Sequence, residues 1–145
     1  MPQWPDLIEN RPDNDNGLKP RMRVRHVLTE GHRVELAASA MQRNDAAELG
    51  DLMNKSHESC ANDYEISCPE LDELVETMRD AGALGARLTG AGFGGCTVSL
   101  VATADVDMVL NRVWESYYAK REIESRRRDE VLFACSPAPG AGVVR

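Results

Sequence analysis

The sequence predicts an α+β fold. Three observations carry it. Apolar residues recur at helical spacing through the first half of the chain. A glycine-rich loop then joins two runs that alternate like strands. A last helical stripe is followed by a short apolar run, read as a closing strand. Periods of 3.6 and 2 in one chain, with no regular βαβ alternation, indicate helices packed against an antiparallel hairpin.

The first helix is expected from about Val24. Val24, Val27, Leu28, Gly31, Val34, Ala38 and Met41 fall on one stripe. Asp45 is the expected N-cap of the second, with Glu48 three residues on in a capping-box arrangement. Ala46, Leu49, Met53 and Cys60 would continue its apolar face. Ser67-Cys68-Pro69-Glu70 marks a third start, with Ser at the cap and Pro in the first turn. Leu71, Leu74, Val75 and Met78 form its stripe, and Gly82 is the expected C-terminal stop.

Residues 84–101 are the most informative segment. Four of the six residues from Gly90 to Gly95 are glycine. Ala86 to Thr89 suit a short strand before the loop, and Cys96 to Val101 alternate after it. Gly90, Gly92 and Gly95 match G-x-G-x-x-G, but a strand follows where a dinucleotide site needs a helix. A protein-kinase loop also joins two strands, yet V-A-I-K, H-R-D and D-F-G are missing. Two readings of the loop stay open. One is a tight hairpin that merely needs positive φ. The other is a surface stripped of side chains so that a ligand such as phosphate can meet backbone N–H groups. On the second reading at least one glycine has positive φ, the loop is exposed at a cleft edge, and Phe93 turns inward as its anchor. Gly92→Val should then leave the isolated domain folded and abolish activity of the enzyme reconstituted with its missing half.

Beyond the hairpin, Thr103-Ala104-Asp105 starts a helix that carries Val106, Val109, Leu110, Val113 and Tyr117 to about Glu122. Val131 to Cys135 read as a short buried strand. Residues 1–20, with four prolines, read as an irregular arm or severed linker, and residues 21–145 as one domain.

Composition narrows the function. The chain has 145 residues, a net charge of −7 and 42% hydrophobic residues. That is a single-domain length with ordinary core material. The acidic balance argues against nucleic acid as a partner, since phosphate binding needs a basic surface. Lys120, Arg121, Arg126, Arg127 and Arg128 cluster, but Glu122, Glu124, Asp129 and Glu130 interleave with them. No apolar run approaches the roughly 18 residues that a membrane span requires.

Cys60, Cys68, Cys96 and Cys135 form no C-x-x-C pair. Spacing alone leaves disulfide pairing open. Residues 1–16 lack the apolar core of a signal peptide, so reduced thiols and a cytoplasmic location are expected. His26, His32 and His57 lack metal-ligand spacing: His57-Glu58 starts like H-E-x-x-H, but Ala61 stands at the second histidine. A surface or helix-packing role is expected for all three, and no metal site.

Leu88-Thr89-Gly90-Ala91-Gly92-Phe93-Gly94-Gly95-Cys96-Thr97-Val98 resembles the third motif of the GHMP kinases, in the form galactokinases carry. Arg25-His26-Val27-Leu28-Thr29-Glu30 resembles the family's R-H-V-x-T-E segment. Residues 52–59 resemble L-M-x-x-S-H-x-S, and residues 63–72 resemble D-Y-E-V-S-C-P-E-L-D. Gly140-Ala141-Gly142-Val143 also fits, and the segments run in the family's order across residues 21–144.

The resemblance implies a ferredoxin-like C-terminal domain of helices on an antiparallel sheet. It implies the C-terminal portion of a sugar 1-kinase of galactose metabolism that converts ATP and galactose to galactose 1-phosphate and ADP. The segments carrying the sugar-recognition site, the phosphate-binding second motif and the proposed catalytic residues are not among those matched, so no catalytic residue carries over. Thr89, Gly90, Gly92, Gly94 and Gly95 carry over as lining the sugar and nucleotide site. Arg87 is a possible phosphate contact, or else a surface residue flanking a strand. ATP and Mg²⁺ would serve the complete enzyme, with neither held tightly by this chain alone. The expected partner is the N-terminal kinase half, or a second copy of the chain through the face that half would cover. A stand-alone binding or interaction module that kept the fold without catalysis is the alternative.

Overall fold

A computed structural model describes residues 19–121 and 123–136. Of the expected arm at residues 1–20, residues 1–18 lie outside the described residues, as does the Gly140–Val143 segment. Helix α1 spans Pro20–Gln42, and α2 spans Ala46–Ser59, running on into a π-helical turn at Cys60–Tyr64. Helix α3 (Pro69–Ala81) leads into strands β1 (Gly85–Thr89) and β2 (Cys96–Leu100). A 3₁₀ turn at Thr103–Asp105 opens α4 (Val106–Val113), which continues through a π-helical turn at Trp114–Tyr118 and a 3₁₀ turn at Ala119–Arg121. A 3₁₀ turn at Ser125–Arg127 and the single turn α5 (Arg128–Val131) follow.

The fold class is α+β, with helices packed on a two-stranded antiparallel sheet. The register pairs Gly85 with Leu100 and Thr89 with Cys96. Ala86 and Leu88 share one face of β1 and are 0% and 1% exposed. Ala86 joins Leu74, Val75 and Met78 of α3 and Val109 and Val113 of α4 in the main core, while Leu88 packs with Cys60 and Leu71. Among the described residues no helix is long and apolar enough to cross a membrane.

Several start and stop signals act as read. The Asp45 carboxylate accepts from the Glu48 N–H at 3.0 Å. Gly82 ends α3 with φ of 116°, a left-handed stop that spares a Cβ penalty. Pro69 occupies the first turn of α3, but the cap is Cys68 in extended conformation, and the Ser67 hydroxyl bonds Asp72 instead.

Three expectations are corrected. Helix α1 begins at Pro20, earlier than expected, and its apolar stripe is not core. Val27, Val34 and Met41 are 62%, 67% and 57% exposed, because the adjacent stripe holding Ala40 is the one that faces α2. In α2 the buried positions are Gly50, Leu52, Ser56, His57 and Ser59, while Ala46 is exposed and Leu49 and Met53 are half-buried. Lastly, residues 131–135 form no strand. Val131 closes α5, and its carbonyl accepts from the Tyr118 hydroxyl at 3.2 Å, so a ladder acceptor is already used. Leu132 drops into the core and Phe133 is exposed.

Candidate functional site

The motif-bearing segments of the sequence assemble into one support for the glycine loop. Helix α2 covers the outer edge of β1 and satisfies two of its amides. Asn54 Oδ1 accepts from the Ala86 N–H at 2.9 Å, and His57 Nδ1 accepts from the Leu88 N–H at 3.2 Å. An open strand edge would otherwise leave buried donors unpaired. Because Nδ1 accepts, the ring proton sits on Nε2, 3.2 Å from Asp72 Oδ1. Burial lowers the His57 pKa, partly opposed by Asp72, so the ring is held neutral. Glycine-to-glycine contact sets the approach of helix to strand: a Cβ on Gly50 would stand 2.3 Å from the Leu84 carbonyl oxygen.

A second set of contacts ties α1 to the turn at Cys60–Tyr64. Arg25 bonds Asp63, and the His26 ring stacks on Tyr64 with centroids 4.6 Å apart. Ser59 donates to Asp63 at 3.1 Å and lies 3.0 Å from His26 Nδ1. Glu30 accepts from the Ser56 hydroxyl at 2.7 Å and from Arg33. Burial works against the Glu30 carboxylate, but the Ser56 and Arg33 bonds prevail and its pKa is lowered.

That turn delivers Ile66 beneath the loop. Glu65 is left-handed, with φ of 59°, and its carboxylate is held by Lys19 and Arg23. The Ile66 carbonyl accepts from the Phe93 N–H at 2.7 Å. Gly92 lies directly on Ile66: a Cβ there would be 2.3 Å from the Ile66 carbonyl oxygen. Ile66 is not legible as a site residue in the sequence, since it meets Gly92 chiefly through its carbonyl group.

Gly90, Gly92, Gly94 and Gly95 all have positive φ, at 89°, 81°, 123° and 97°. Residues 89–96 line an open concavity of about 530 Å³. Gly90 and Gly94 have open space where a Cβ would sit. Thr89, at the end of β1, is exposed at its rim. Phe93 does not turn inward; it is 75% exposed. The space under the loop is filled by Ile66, and the anchor is the Phe93 amide rather than its ring. Phe93 also has φ of 59°, a sparsely populated conformation for a bulky residue.

Arg87 lies outside this concavity. Its Nε donates to the Leu88 carbonyl at 3.1 Å and its guanidinium turns toward Cys60, whose thiol pKa is raised by burial. His26 and His57 serve packing and strand capping. Residues 89–96 carry no carboxylate, so they bring neither a fixed negative charge that would repel an anion nor an acidic ligand for Mg²⁺. A second depression, about 350 Å³, is lined by His57, Glu58, Asp72, Glu76, Arg79 and Asp80 among others, and its carboxylates disfavour an anion.

Comparison with known proteins identifies the family. The family model described as GHMP kinases C terminal matches residues 37–120, more than half of the chain. The chain belongs to the GHMP kinase family. The matched region is the C-terminal part of such kinases. A galactokinase from Roseiflexus sp. (strain RS-1) is 41% identical over 125 residues, covering 86% of this chain and 31% of that protein. The crystal structure of Lactococcus lactis galactokinase complexed with galactose superposes with a TM-score of 0.68 at 35% identity, over 81% of this chain and 31% of that one. That of L. major mevalonate kinase in complex with R-mevalonate gives 0.55 at 36% identity, over 59% of this chain and 26% of that one. The chain thus spans between about a quarter and a third of the length of these proteins.

Proposed function

We infer that this domain serves a galactokinase-like sugar 1-kinase, converting ATP and galactose to galactose 1-phosphate and ADP together with an N-terminal portion of the kind its relatives carry. In this reading Thr89, Gly90, Gly92, Gly94 and Gly95 close over the sugar and the nucleotide phosphates. The observation that carries it is the loop: four glycines with positive φ, of which Gly90 and Gly95 are exposed, Gly90 and Gly94 face open space, and Gly92 rests on Ile66.

Phosphoryl transfer depends on positioning and charge stabilisation more than on covalent chemistry. The loop's part is to bring backbone close to the transferred group and to exclude water. It has no acid or base for the sugar hydroxyl, so that role falls to the N-terminal portion, as does binding of Mg²⁺. Arg87 would approach a phosphate only by leaving Cys60. A cytoplasmic location suits the four free cysteines.

The test is reconstitution. The chain is mixed with the N-terminal portion of Lactococcus lactis galactokinase, and galactose-dependent ADP formation is measured. Activity is expected with the wild-type chain and lost with Gly94→Val, whose side chain would enter open space above the loop. Activity indifferent to Gly94→Val, or no activity from a complex that demonstrably forms, would refute the reading.

A further inference from the structure

The apolar stripe of α1 that the core leaves uncovered has a regular form. Val27, Val34 and Met41 are spaced by seven, and Val24, Gly31 and Ala38 fall three residues before each of them. This is an a/d seam, with Val24, Gly31 and Ala38 at a and Val27, Val34 and Met41 at d. It extends about 27 Å at 1.5 Å per residue. Val24 is half-buried; the other five are exposed, and Gly31 has nothing within 4 Å of its Cβ position. No charged residue interrupts the seam.

We propose that this face pairs with α1 of a second copy of the chain, antiparallel. In an antiparallel pair each a residue meets a d residue of its partner. Gly31 then faces Val34, Val27 faces Ala38, and Val24 faces Met41. Along the centre of the seam every valine meets a small residue, which lets the helices approach closely. The flanking positions agree: Glu35 faces Leu28, and Glu30 faces Ala37, so no like charges are opposed. A parallel pair is disfavoured. It sets Gly31 against Gly31, leaving a hole, and Glu30 beside Glu35. Because α1 is already braced by α2, pairing carries no helix-forming cost. The inference rests on the shape and exposure of α1 in this chain, and an N-terminal portion seated on the same face would compete with it.

The experiment is sedimentation and light scattering of the full 145-residue chain from about 1 μM to about 1 mM, for wild type, Val34→Glu and Gly31→Leu. Wild type is expected to dimerise. Val34→Glu should weaken the dimer by about a hundredfold or more, because it places a carboxylate against Gly31 in a dry seam. Its thermal midpoint at low concentration should match wild type, as Val34 is 67% exposed in the single chain.

Gly31→Leu separates the arrangements. In the antiparallel pair the new side chain collides with Val34 and association is lost; in a parallel pair, or in unspecific sticking, it fills a hole and tightens binding. A wild-type monomer at all concentrations, a dimer unaffected by Val34→Glu, or tightening by Gly31→Leu would each overturn the proposal. So would a monomer that binds the N-terminal portion of a galactokinase in a manner lost with Val34→Glu, since the face would then belong to that portion.

Discussion

The amide of Leu88 donates to Nδ1 of His57 across 3.2 Å, and through this bond helix α2 holds the strand that leads into the glycine loop. The donor and the acceptor are both buried, at 1% and 7% exposure. The same ring turns its other nitrogen toward Asp72 on α3. One histidine therefore ties two helices to the strand, and only its neutral form can accept from Leu88.

Stability should consequently fall on mild acidification. The His57 pKa is lowered by burial below its ordinary 6.5. The unfolded chain then binds more protons than the native one between the native pKa and about 6.5. The stabilisation is complete above that range and declines as pH falls through it. Urea unfolding at a series of pH values should show this loss, and His57→Leu should remove its own share of the slope. At neutral pH His57→Leu should also cost about 1–3 kcal/mol, because the Leu88 amide is left buried and unpaired.

Gly50 and Gly85 make a second prediction. Either Cβ would enter the other segment's backbone: Gly85 would come within 2.2 Å of the Gly50 carbonyl oxygen. No flexible side chain is there to give way. Gly50→Ala and Gly85→Ala should each destabilise by about 1–3 kcal/mol or more, despite the helix propensity that Ala brings at position 50. Denaturant midpoints check this. An unchanged midpoint for Gly50→Ala would mean that α2 does not rest on β1 as described.

These two contacts also mark where sequence reasoning reaches and where it stops. Asp45 and Gly82 are legible because a cap and a left-handed stop are local events that depend on one residue type. The hairpin is legible from its alternation and glycines. The buried face of α2 is not, since hydrophobic periodicity overlooks Gly50, Ser56, His57 and Ser59, which are buried through hydrogen bonds and close approach. Ile66 is hidden for a similar reason: it supports the loop through its carbonyl, which every residue possesses. The α1 stripe is apolar as its periodicity indicates but is not core, because periodicity shows that a face seeks cover and not what covers it. The run at 131–135 has the composition of a strand, yet only Leu132 is buried, with Val131 half-buried against the same core.

The loop glycines should not be equivalent. All four carry positive φ, so alanine at any of them incurs backbone strain of about 1 kcal/mol or more. Gly92 adds a clash with the Ile66 backbone, whereas Gly90 and Gly94 face open space. Gly92→Ala should therefore lower stability clearly more than Gly90→Ala or Gly94→Ala, as read by thermal unfolding. The expectation that Gly92→Val leaves the domain intact is revised for the same reason. Equal effects at the three positions would contradict the seat on Ile66.

Phe93 offers the sharpest separation of folding from function. Its ring is 75% exposed and makes no part of either core cluster, yet its backbone adopts a conformation that costs a bulky residue energy. Phe93→Gly should thus raise or preserve stability, by up to about 1 kcal/mol, while keeping the amide that bonds Ile66. The chain alone should show no galactose-dependent ADP formation, whether or not it carries this substitution, because the loop holds no acid or base. In the enzyme reconstituted with an N-terminal portion, the exposed ring would lie where the loop meets the other half or its ligand. Phe93→Gly should then lower activity at least about tenfold, although the domain itself is no less stable. Activity that survives the change would place the ring outside the working face, and a loss of stability would show that the ring, against its exposure, helps to hold the loop.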